Sequence, residues 1–223
     1  MHTFATTTKT TVVLDIPAGR VRLVASERAD ATVEVLPADA ARNRDVRAAE
    51  RIEAAFEGDT LRIGAGEPES RLTGHSGAVE VTVRLPAGSR VEAKASDVEF
   101  HGTGRLGDVS VEVARGTVEL EESAAARVTV LAGDVSIGRL GGDATISTRK
   151  GDIDITEALG GTVTLRTEAG GIRIGAARGV SATLDAGTGS GRIDNALRNA
   201  DGAAAGLRIH ATTGHGDISA RSL

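Results

Sequence analysis

The sequence predicts an all-β fold: a single-stranded parallel β-solenoid, right-handed by default, of about 18 residues per coil, preceded by a β-rich region with one short helix. Three observations carry this expectation. Apolar-x-apolar triplets recur in two alternating families, Val128-Thr129-Val130, Ala144-Thr145-Ile146, Val163-Thr164-Leu165 and Ala182-Thr183-Leu184 against Val135-Ser136-Ile137, Ile153-Asp154-Ile155 and Ile172-Arg173-Ile174. Glycine-led corners precede the second family at Gly133-Asp134, Gly151-Asp152, Gly170-Gly171 and Gly216-Asp217. Aromatic content is only 1%, with Phe4, Phe56 and Phe100 and neither Trp nor Tyr, so Val, Ile, Leu and Ala must fill the interior.

Each triplet puts two apolar side chains on one face of a strand, because successive side chains alternate. One coil cannot bury that face, but like strands stacked about 4.8 Å apart close a narrow aliphatic interior. An antiparallel sandwich or barrel also matches regular strand-turn spacing. The recurrence of matching residues once per two strands favours the solenoid.

The expected division is a capping region at 1–90 and solenoid repeats at 91–223. Within the first, "LDIPAGRVRL" and "VRLPAGSRVE" each read as strand, Pro-Ala-Gly corner and strand. Residues 39–50 form the helix candidate, with Asp39 as N-cap. "FEGDTLRI" reads as a hairpin about a Gly-Asp turn, and "GEPESRLTGHSG" as a loop. The far end, near Ser219 to Leu223, has no evident cap, so the C-terminal edge is expected to be open.

The "GDVSI", "GDIDI" and "GDISA" strands and the "LPAGSRVEAKAS" stretch at Leu85–Ser96 resemble the bacterial putative-adhesin β-strand-repeat domain family, whose members are mostly of unknown function. The resemblance covers most of the chain, most clearly from Val79 onward. It implies a β-helical fold and brings no catalytic residues with it.

Several motifs touch on chemistry. "GTGRLG" (Gly102–Gly107) matches the dinucleotide fingerprint, but that chemistry needs a helix N-terminus for the pyrophosphate, and an alternating strand pattern follows. "GHSGA" around Ser76 nearly forms a serine-hydrolase elbow, with Ala78 where the final Gly belongs. His210, His215 and Asp217 fall close enough in sequence to suggest a metal site, yet in no familiar zinc spacing. No cofactor or metal is assigned. Thr129, Thr145, Thr164 and Thr183 read as an outward threonine ladder, a good exposed strand surface.

The surface candidates are Asp134, Asp152, Asp154, Arg173, Asp194 and Asp217. Asp134 and Asp152 occupy equivalent corners of adjacent coils, where turn capping is the ordinary role of Asp and paired carboxylates can also serve glycoside chemistry. Asp154, Arg173 and Asp194 alternate in sign, so neighbouring coils would attract.

The net charge of −5 is mixed along the chain, leaving no basic stripe for nucleic acid. The absence of cysteine excludes disulfides and thiol chemistry. The N-terminal sequence has no signal-type segment, and no apolar run approaches the roughly 20 residues of a membrane span, which reads as a cytoplasmic chain without membrane insertion. With no convincing catalytic constellation, the reading is a noncatalytic structural or protein-interaction module. It presents a rigid repetitive β surface to a protein partner or to a second copy through its C-terminal edge. The alternative is a carbohydrate-active or other small-molecule enzyme or binder using Asp/Arg columns on the solenoid face.

Overall fold

The computed structural model describes residues 2–6, 9–65 and 77–223. The described residues are mostly strand, with one α-helix among them, and the chain divides into two compact units, Met1–Gly116 and Thr117–Leu223. The Ser76 motif and most of the "GEPESRLTGHSG" loop lie outside the described residues.

The first unit holds β1 (His2–Ala5), β2 (Thr11–Ser26), β3 (Asp30–Pro37), α1 (Asn43–Arg51), β4 (Ile52–Glu57), β5 (Thr60–Ala65), β6 (Val79–Pro86) and β7 (Arg90–Arg115). Alternating residues such as Val12, Leu14 and Ile16, then Val21 and Leu23, bury one face of β2 on each side of its Pro-Ala-Gly corner. Its first half lies parallel to both β5 and β7, and its second half parallel to both β6 and β7. Antiparallel strands flank these: β4 on β5 through the Gly58-Asp59 turn, and β3 on β6 with β1 beyond it.

Helix α1 begins after Arg42, and no side chain caps it. Asp39, expected as N-cap, instead accepts the Ala41 N–H on Oδ1 at 3.0 Å, closing the turn before the helix. The carboxylate that matters is Asp45, 3% exposed, which accepts the Ala78 backbone N–H at 3.0 Å and so ties the first helical turn to the chain entering β6.

The second unit holds β8 (Val118–Ala132), β9 (Val135–Leu140), β10 (Ala144–Lys150), β11 (Ile153–Ala158), β12 (Gly161–Ala169), β13 (Ile172–Ala176), β14 (Ala182–Ser190), β15 (Ile193–Ala196), β16 (Leu207–His215) and β17 (Ile218–Ser222). All of its strand pairings are parallel, in two ladders. The first runs β8, β10, β12, β16, β14, and the second β8, β9, β11, β13, β17, β15. Each winding of chain gives one strand to each ladder. In the second ladder Val118, Val135, Ile153, Ile172, Ile218 and Ile193 stand directly opposite one another in that order, all but the last buried.

That order corrects two expectations. Chain order and spatial order part company after β13: the winding β14–β15 lies at the end of both ladders, and the C-terminal winding β16–β17 is inserted beneath it. The C-terminal edge is therefore paired on both sides, and among the described residues the open edge belongs to β14 and β15, covered only at its start, where the Ala182 N–H donates to the Arg198 carbonyl at 3.0 Å. The physical reason is the long segment 197–206 after β15, which carries the chain back by one step. Ser181 anchors it: its Oγ donates to Asn199 Oδ1 at 3.1 Å and accepts the N–H groups of Ala200 and Asp201.

The second correction concerns the threonine ladder. Thr145 faces Thr164, but Thr129 faces Ser147 and Thr183 faces Arg208. The first triplet family is thus displaced by two residues at β8 and at β14. A two-residue slip keeps the apolar face inward, so the pattern alone cannot detect it.

Candidate functional site

The corners of the second unit are built from a column of glycines, Gly133, Gly151, Gly170, Gly216 and Gly191 in spatial order, with φ between +144° and +155°. A Cβ on Gly151 would collide with the Gly133 carbonyl oxygen, and one on Gly170 with that of Gly151. Glycine is required twice over, by backbone conformation and by close approach. Beneath the corner runs a column of inward threonines that the sequence reading missed. Thr148 Oγ1 donates to Gly133 O at 3.3 Å, Thr167 to Gly151 O at 3.0 Å, Thr213 to Gly170 O at 2.9 Å and Thr188 to Gly216 O at 3.0 Å. Its signal is present as Thr-x-x-Gly, at Thr148-Arg-Lys-Gly151, Thr167-Glu-Ala-Gly170, Thr188-Gly-Ser-Gly191 and Thr213-Gly-His-Gly216.

The corner aspartates bridge successive windings. Asp134 Oδ1 accepts the Asp152 N–H at 2.8 Å, Asp152 Oδ1 the Gly171 N–H at 2.7 Å and Asp217 Oδ1 the Arg192 N–H at 2.8 Å. Asp143, at a different turn, does the same for Thr162 at 2.7 Å. One oxygen of each is engaged in holding backbone.

On the outward face of the second ladder, Arg173 Nε donates to Asp154 Oδ2 at 2.8 Å, and its other end approaches Asp152 at 3.9 Å. The hydrogen bond to Asp154, aided by attraction to Asp154, Asp152 and Asp134, raises the guanidinium pKa above its ordinary value. Asp194 does not join this group, as the alternation of sign had implied. Ser219, brought in by the inserted winding, stands between Arg173 and Asp194.

Beside this pair is a shallow dish of about 140 Å³ lined by Asp154, Thr156, Arg173, Gly175, Ser219 and Arg221. Sites that hold small organic ligands run about 300–1,000 Å³. In the first unit an open depression of about 340 Å³ is lined by Asp15, Glu53, Arg62 and Gly64 among others.

The remaining motifs separate. "GTGRLG" lies wholly within β7, where a Cβ on Gly104 would strike the Ala25 carbonyl, and no helix follows it. His210 Nδ1 sits 3.3 Å from Asp185 Oδ2, on the outer face of β16. Asp217 faces Arg192 across the corner. Among the described residues, no cluster of three or more His, Cys, Asp or Glu side chains is placed to hold a metal ion. Nor is any helix long and apolar enough to cross a membrane.

The open edge is the other feature of note. Opposite the buried column of Val and Ile, Ile193 is 45% exposed. The neighbouring column runs Leu120, Ile137, Ile155, Ile174, Ala220, Asn195, so the interior tapers toward this end.

Among curated proteins no sequence relative is found. Solved structures with similar folds include a "putative adhesin" of Bacteroides fragilis NCTC 9343, with a TM-score of 0.50 at 12% identity over 98% of this chain and 95% of its own. A "putative cell adhesion protein" of Clostridium sporogenes ATCC 15579 gives 0.41 at 12% identity over 100% and 98%. At this identity the likeness to the Bacteroides structure concerns fold alone. The family described as Toastrack DUF4097 matches residues 9–222, nearly the whole sequence, with its two parallel ladders and glycine corners included, and the chain belongs to that family.

Proposed function

We propose that the chain is a noncatalytic protein-interaction module, a parallel β-solenoid of about eighteen residues per winding, right-handed by the general preference of parallel crossovers, whose contacts are made at the β14–β15 edge. The observation that carries this reading is the β14–β15 edge beyond Ala182, which no other strand among the described residues pairs and where the aliphatic interior reaches solvent at Ile193. An edge strand presents a row of free backbone donors and acceptors that an extended strand of another chain can continue. The candidate acid-base groups support the same reading, because Asp134, Asp152 and Asp217 hold backbone and Asp154 holds Arg173.

Light scattering across a concentration series tests the edge. The expected outcome is concentration-dependent association that Ile193→Lys abolishes; strictly monomeric behaviour of the unmodified chain at high concentration would remove edge pairing. The rival reading, a carbohydrate-active enzyme or binder on the Asp/Arg columns, predicts a selective thermal shift with a sugar that disappears in Asp134→Ala or Asp152→Ala. The module reading predicts no such shift.

A further inference from the structure

The inserted winding occupies a slot with walls on both sides: β12 and β13 below, β14 and β15 above. We propose that this slot is an exchange site, and that its second occupant is the same winding, residues 207–222, of another copy of the chain.

The argument begins with register. Through β16, Val163 lies opposite Ile209 and Ile209 opposite Leu184; Thr167, Thr213 and Thr188 align in the same way. Through β17, Ile172, Ile218 and Ile193 align. The walls of the slot are therefore in register with each other. If the inserted winding leaves, β14 can settle directly on β12 and β15 on β13, with apolar residues still facing apolar ones. The corner is equally permissive: Gly191 would replace Gly216 above Gly170, and the Thr188 hydroxyl would replace that of Thr213 on the Gly170 carbonyl.

Departure of the winding thus leaves a stack shortened by one step rather than a broken one. The released winding keeps two apolar strands, Leu207-Arg208-Ile209-His210-Ala211 and Ile218-Ser219-Ala220, that are buried only when ladders flank them. Among the described residues, the surface that pairs with both of them is the slot itself. Ser181 and the Arg198 contacts hold the start of the connector 197–206, so the turning point falls at 202–206, with Gly202 at φ +59° and Gly206 unobstructed. Exchange of an identical element about such a connector is a low-cost route to a dimer.

This inference goes beyond edge pairing and does not depend on it. Edge association joins the outer side of β14 and β15 and brings residue 210 of one copy nowhere near residue 164 of another, so a link between those two positions reports exchange alone.

The chain contains no cysteine, so introduced thiols report alone. Thr164 and His210 are exposed and directly opposite in adjacent strands, about 4.8 Å apart. Thr145 is equally exposed but one strand further away, beyond the reach of a disulfide. Full-length Thr164→Cys is mixed with full-length His210→Cys, unfolded and refolded together at high concentration, oxidised gently, and the linked peptides are identified by mass spectrometry. Exchange predicts an interchain link between positions 164 and 210 at least about tenfold more abundant than the 145–210 link formed by Thr145→Cys under the same conditions. Equal yields, or no 164–210 link in well-folded protein, would overturn it. Should His210→Cys fail to fold, Arg166→Cys with Thr212→Cys reports on the same pair of strands.

Discussion

The threonine under each corner bonds the carbonyl of the corner glycine and so ties one winding to the next, beside backbone bonds such as that from the Gly151 N–H to the Ala169 carbonyl at 2.9 Å. Thr167 is 2% exposed, and its hydroxyl bonds the Gly151 carbonyl at 3.0 Å. Thr167→Val keeps the shape and strands that carbonyl, so it should cost about 1–3 kcal/mol in chemical denaturation. Gly151→Ala meets both a positive φ and the carbonyl of Gly133, and should cost at least about 1 kcal/mol, with no relief from small backbone shifts in a column of like corners. In the first unit, Arg28 grips Asp30 through two hydrogen bonds of 2.9 and 2.8 Å and lowers its pKa from the ordinary 3.8. A depressed carboxyl pKa contributes stability that is present above the unfolded value and is lost as pH falls through the folded one. Arg28→Ala should return the Asp30 titration, followed by carboxyl NMR, toward its ordinary position.

At the scale of the element, the inverted order of the last two windings makes a sharp contrast. Ile153 is fully buried between β9 and β13, while Ile193 occupies the corresponding position at the open edge. Ile153→Ala should cost about 2–5 kcal/mol and Ile193→Ala under about 1 kcal/mol, measured by denaturant unfolding. Were the windings stacked in chain order, Ile218 would be the tolerant position instead. The second ladder was legible in the sequence because its apolar-polar-apolar triplets follow a glycine corner that fixes their phase. The first ladder has no such marker at its start, so β8 and β14 slipped by two residues without violating the pattern. The winding order was signalled by spacing: Arg192 and Asp217, paired across the corner, are 25 residues apart, against 18 and 19 for the Asp134–Asp152 and Asp152–Gly171 bridges. That surplus was readable as an irregularity, but its use in stepping backwards depends on the Ser181 contacts, which join residues with no pattern in common. The Asp134 and Asp152 corner role was legible from the turn chemistry of Asp; that their carboxylates reach the neighbouring winding was not.

At the scale of the molecule, 31 acidic and 26 basic residues are interspersed, and ion pairs such as Arg20 with Glu80 and Glu99, or Arg173 with Asp154, lie on the outside. Exposed pairs contribute about 0–1 kcal/mol each and are screened by salt. Stability resides in the aliphatic interior of each unit, so raising sodium chloride from about 0.1 to 0.5 M should move the thermal midpoint by only a few degrees. A collapse of the midpoint would instead assign the ladders to charge. The inserted winding also sets how the second unit responds to force. Tension drawn through Leu223 loads hydrogen-bonded rows on two flanks at once, so the terminal segment must be sheared out of a sleeve, where an ordinary last strand would peel from a single neighbour at far lower load.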